Sequence, residues 1–229
     1  MTTGPALCQS GPVVGLRGRW VQDVGPVVPS PSAPEVAAAG RELLARWDEP
    51  HRHYHDAAHL AEVLRAVDTL STALRVPARQ RVVATLGAWF HDAVYRVREP
   101  EWNERDSAAL AVECLTDLDA DPLVVELVGQ AVLDTREHDV DPSADASRVV
   151  LHDADLWVLS APTDRFDEYC AQVRSEYAHV PTAQYAAGRT AVLRPFLARR
   201  HVYASAPARR EWEPVARENL AREISRLAA

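Results

Sequence analysis

The chain has 229 residues, 47% of them hydrophobic and 25% charged, with a formal net charge of −8. That length suits one domain with an extension, and that balance is usual for a globular protein. The acidic excess argues against a duplex nucleic-acid partner. No apolar run reaches the roughly 20 residues that span a bilayer, and no basic segment leads an apolar N-terminal core, so no membrane or secretory role is expected.

Cys8, Cys114 and Cys170 are scattered and form no CxxC pair, which supports neither a disulfide framework nor a zinc-thiolate site. A cytoplasmic location is the expectation. The nine histidines are more informative: His51, His53, His55 and His59 fall within nine residues, and His91 follows.

Residues 1–33 are rich in glycine and proline and read as an irregular N-terminal arm, with Trp20 and Val21 as an anchor onto the body. The body, 34–229, reads as all-α, with no alternating run that makes a strand. Ser32 and Pro34 open a helix from about Ala33 to Trp47. A second runs from about Asp56 to Leu74, with Leu60, Val63, Leu64, Val67 and Leu70 at helical spacing. Pro77 opens a third, which carries Leu86, Trp89, Phe90 and Val94. Asp106 or Ser107 caps a fourth, through about Leu115. Asp121 and Pro122 start a fifth, to about Asp134. A sixth covers about Ser147 to Leu159. Thr163, Thr182 and Pro207 begin the last three, ending near Ala228. Residues 96–105 and 135–146 are the longest loops.

Three polar clusters interrupt this pattern. His55 and His59 are four apart and share one helical face, where both are able to reach one ion; a solvated helix start gives the same pattern. His91 and Asp92 sit among Trp89, Phe90 and Val94, so they are expected to be partly buried. A buried carboxylate needs a partner, either a metal or a structural ion pair. Neighbouring helical residues diverge by about 100°, so an ion bound by both must lie between their directions. Asp153 and Asp155 point to different faces of an apolar helix, and only one is expected to enter a site. Imidazoles with carboxylates form a mixed N/O donor set, suited to Mn²⁺, Fe²⁺, Co²⁺, Ni²⁺ or Zn²⁺, with Mg²⁺ also admissible.

The order His59, His91-Asp92, Asp155 on successive helices resembles the HD-domain superfamily of metal-dependent phosphohydrolases. Several stretches are similar to a bacterial branch described as predicted metal-dependent HD phosphohydrolases. They are Tyr54-His55-Asp56, Trp89 to Tyr95, Asn103 to Ala108, Asp153 to Leu156, Arg174-x-Glu176-Tyr177, Gly188-Arg189 and Ala216-Arg217-x-Asn219-Leu220. The likeness covers roughly residues 40–228. The branch commonly has Asn at position 56 and Gly at 160, where this chain has Asp56 and Ser160.

The resemblance implies a single helical HD bundle and a divalent transition metal held by His59, His91, Asp92 and Asp155. Asp155 is preferred to Asp153 on the motif pattern, and Asp153 is then an acid that orients a histidine. The implied reaction is hydrolysis of a phosphomonoester or phosphodiester, of a nucleotide or related small molecule, by metal-activated water. Asp92 doubles as proton acceptor, and His55 and His138 are candidates for contacting the phosphate or a second ion. Arg189 and Arg217 are candidates for phosphate or structural contacts. A diiron oxygenase needs further histidines between the HD pair and the last aspartate, where this chain offers only His138 and His152. The competing reading is a non-enzymatic HD fold that senses a nucleotide or a partner. Pairing into a homodimer is a further expectation from the family.

Overall fold

The structure, a computed structural model, describes residues 12–29 and 32–229. Among them there is helix and no strand, as expected for an all-α chain.

The expected arm holds a helix. Helix α1 runs Pro12–Val24, followed by a 3-10 turn over Gly25–Val27. Gly15 and Gly18 disfavour helix, but Leu16, Trp20 and Val24 recur every four residues, and each is buried. Burial of that stripe outweighs the propensity cost, which a reading weighted by glycine and proline missed. Trp20 is the expected anchor: it is fully buried and donates to the Val36 carbonyl at 2.8 Å. Val21 is exposed. Residues 1–11 and 30–31 of the arm lie outside the described residues.

Helix α2 spans Ala33–Trp47, α3 Ala57–Ala73 and α4 Ala78–Phe90. The Asp56 carboxylate caps α3, accepting from the N–H groups of Ala58 and His59. The third helix was expected to carry Val94, but α4 ends at Phe90 with His91 as its C-cap. Helix α5 covers Asn103–Asp117, three residues earlier than the expected cap, and Asp106 pairs instead with Arg96 and Arg105. Helix α6 is Pro122–Asp134, capped by Asp121. Helix α7 is Ala146–Asp155 and tightens into 3-10 turns over Leu156–Ser160. Helices α8 and α9 span Thr163–Glu176 and Thr182–Ala198. The last expected helix is two, α10 (Ala206–Glu211) and α11 (Glu213–Leu227), broken at Trp212 beside Pro214, whose ring has no N–H to continue the ladder.

Helices α3, α4, α6 and α7 pack on one another, α5 lies on α6, and α9 on α11. Leu60, Leu64, Leu86, Trp89, Phe90 and Leu151 fill the centre. No helix of the described residues is long and apolar enough to cross a membrane.

Candidate metal centre

Three helix ends deliver the polar clusters to one point. His59 lies in the first turn of α3, His91 and Asp92 follow the last turn of α4, and Asp155 is the last residue of α7. Because α4 stops at Phe90, Asp92 sits in a turn and is free of the helical divergence expected for adjacent residues.

His59 Nε2 and His91 Nε2 are 3.1 Å apart. Asp155 Oδ1 is 3.5 Å from the first and 3.4 Å from the second. Asp92 Oδ2 stands beside them, 3.3 Å from His91 Nε2 and 3.8 Å from His59 Nε2. Adjacent ligands at about 2.1 Å from one ion lie about 3.0 Å apart at right angles and about 3.4 Å apart in a tetrahedron. The spacings of His59, His91 and Asp155 fall close to that range, so these three form a set able to hold a single cation, with Asp92 at its edge.

Tautomer and charge agree with this fit. His91 Nδ1 meets the Ala88 carbonyl at 2.8 Å, and a carbonyl only accepts, so the proton is on Nδ1 and the Nε2 lone pair faces the cluster. Both imidazoles are buried, while Asp92 and Asp155 keep some exposure. Among the described residues, neither carboxylate forms an ion pair with an arginine. Burial works against a charged His91, yet Asp92 and Asp155 outweigh it and hold its pKa well above the ordinary value. The carboxylates move the other way. Burial would raise both, and the imidazoles, His91 first, hold them below the usual range. The pair of carboxylates demands positive charge at this point.

His55 lies outside the tightest cluster. Its Nδ1 donates to Glu176 Oε2 at 2.8 Å, the acceptor also of the Tyr95 hydroxyl at 2.8 Å, which leaves Nε2 as the ring's other polar atom. Glu176 Oε1 accepts from the backbone N–H groups of His53, Tyr54 and His55. Burial alone would raise the Glu176 pKa; these hydrogen bonds, His55 first, bring it down to about 2. His138 has a left-handed backbone, with φ of 41° and ψ of 39°, and its Nδ1 is 3.5 Å from Asp155 Oδ2. Burial pushes its pKa down against the pull of Asp155.

Asp153 is elsewhere. It is fully buried and accepts from the N–H groups of Ala204 and Ser205 at 2.7 and 2.8 Å, and from His152 Nδ1 at 2.9 Å. It does orient a histidine, but His152 is not in the cluster: its Nε2 reaches the His138 carbonyl. Arg217 is structural, donating to the carbonyls of Leu197, Arg199 and Arg200.

Sequence reasoning missed two supports. Arg52, buried, donates to the carbonyls of His55, Asp92 and Ala93 and so ties the histidine-rich turn to the turn after α4. In the sequence Glu176 stands out only within the stretch Arg174-x-Glu176-Tyr177. Nothing in local spacing signals either, because their partners lie about 40 and 120 positions away.

The cluster opens into a cavity of about 550 Å³ whose far wall is built by α8, α9 and the turns after α7. His55, His138 and Arg189 line it. Comparison of the chain with protein-family models, with curated proteins and with solved structures finds no match.

Proposed function

We propose that this protein is an HD-type metal-dependent phosphohydrolase. The observation that carries the reading is the convergence of His59, His91, Asp92 and Asp155 from three helix ends at the mouth of an open cavity. These residues would hold a divalent ion, which when bound would supply Lewis-acid polarisation of a phosphate oxygen and lower the pKa of a water molecule toward neutrality.

The remaining work falls to the chain. Asp92, partly exposed beside the cavity, accepts a proton from the attacking water. Glu176 fixes the His55 ring through Nδ1, so His55 exchanges a proton at Nε2, with the attacking water or the leaving oxygen. His138, beside Asp155, contacts the phosphate.

The test is metal content and phosphate release. The purified full chain should hold close to one divalent transition metal per protomer and release phosphate from at least one member of a panel of nucleotides and simpler phosphate esters. Chelation and His91→Ala should each remove the activity. A metal-loaded protein that releases phosphate from no member would favour the sensor reading instead.

A further inference from the structure

The cavity holds two features that the metal cluster leaves unexplained. The first is Arg189. Arg165, Arg217 and Arg222 each meet a carboxylate, at Glu62, Glu213 and Asp167. Arg189 is half-buried on the cavity wall, and no ion pair joins it to any acid among the described residues. Its guanidinium donates to the Tyr169 hydroxyl, and its Nε has no partner. A guanidinium sheltered from water without an anion is unfavourable, and planar oxyanions are what its fork binds best. A chain of packed rings links it to the cluster. Tyr169 packs on Tyr54 with ring centres 4.5 Å apart, and Tyr54 packs on His59 at 4.6 Å. The hydroxyls of Tyr54 and Tyr185, also on this wall, have no hydrogen-bond partner.

The second feature is the far wall. Val158, Val173, Val180, Val192 and Leu193 face the hollow. Gly188, within α9, adds to it: a Cβ built there meets nothing within 4 Å, and its φ is not positive. Neither backbone conformation nor packing calls for glycine at this helical position, where it disfavours helix relative to alanine. The missing side chain is cavity space.

Polyphosphates draw on several cations. Among the described residues, Arg189 is the only arginine on the lining.

We propose that the cavity takes the phosphate ester of an apolar alcohol, aryl or alkyl, with Arg189 holding an anionic oxygen and the valine and leucine wall holding the organic group. This rests on the phosphohydrolase reading. The reaction is then plain ester hydrolysis. Water forms a bond to phosphorus, the bond from phosphorus to the ester oxygen breaks, and a proton passes to the departing alkoxide. No oxidant or second substrate is needed.

The test separates this inference from the reading beneath it. Binding of two hydrolysis-inert probes, methylphosphonate and 2-naphthylmethylphosphonate, is measured by calorimetry on the full chain loaded with Mn²⁺ or Zn²⁺. The naphthyl probe should bind at least about tenfold tighter, which is 1.4 kcal/mol. Gly188→Phe should erase that margin while metal content holds, with Val192→Trp as a second obstruction of the hollow. Arg189→Gln should weaken both probes together by about tenfold. Naphthyl and hexyl phosphates should exceed AMP and glucose 6-phosphate in kcat/KM by a similar factor. Equal binding of the two probes, or better turnover of AMP or the sugar phosphate, overturns the apolar assignment and leaves the hydrolase standing. A naphthyl preference sensitive to Gly188→Phe, with no ester hydrolysed, keeps the pocket and removes the hydrolase.

Discussion

Asp153 and Asp155 are two positions apart in one helix and have opposite duties. Asp155 reaches His59 and His91, whereas Asp153 anchors the backbone of Ala204 and Ser205. Asp153→Ala leaves two buried N–H groups unmet, at about 1–3 kcal/mol each, and should show as a loss of stability in urea unfolding. Asp155→Ala should cost the metal-free protein less. It should instead reduce metal affinity by more than the roughly 10–100-fold that loss of an outer partner costs. If Asp153→Ala is the variant that loses metal and keeps its stability, the assignment is wrong. The sequence supplied the residue types and the opposite facing of this pair. It did not say which face held the site, because Asp153 is explained only by a chain reversal some fifty residues later.

The turn between α2 and α3 shows what elements add. It carries His51, His53 and His55, yet hydrogen bonds from other elements hold it: Arg52 toward the turn after α4, and Glu176 at the end of α8. Glu176 has a folded pKa depressed to about 2 from an ordinary 4.5. A depressed carboxylate stabilises the fold above its unfolded pKa, and that stability is lost as pH falls through the folded one. The window is therefore pH 4.5 down to 2, and the shift corresponds to about 3 kcal/mol. Glu176→Gln should destabilise the protein at pH 7, and the gap to the parent should close across that window in denaturant titrations. A gap that stays constant with pH would show that the charge of Glu176 is not what holds the turn. Helix positions were legible from periodicity and caps, as at Asp121, where an acid precedes the first turn. The end of α4 was not: Phe90 through Val94 continues the apolar pattern, and Arg52 and Ser107 settle the turn through bonds to Asp92, Ala93 and Val94.

At the scale of the whole molecule, α1 is built into the body at Gly40. A Cβ on that residue would lie 2.4 Å from Trp20, whose indole is fully buried. Gly40→Ala gains about 1 kcal/mol in helix propensity, but overpacking costs about 1–3 kcal/mol, and so close an approach belongs at the upper end. The variant should melt several degrees below the parent in a calorimetric scan. An unchanged or raised Tm would mean that α1 yields without cost. Behind this contact the aromatic residues form a continuous path. Trp20 packs edge-on against Trp89 and Phe90, the Trp47 indole donates to the Trp89 carbonyl, and the Trp47 ring lies 5.5 Å from that of His91 and 6.4 Å from that of His59. Trp47 is wholly shielded from solvent. An indole so placed sits in a dry, fixed environment beside both histidines of the proposed metal centre. If the proposed centre takes up a paramagnetic ion, the Trp47 share of the emission should fall, so the unlabelled protein would carry its own optical reporter of metal occupancy.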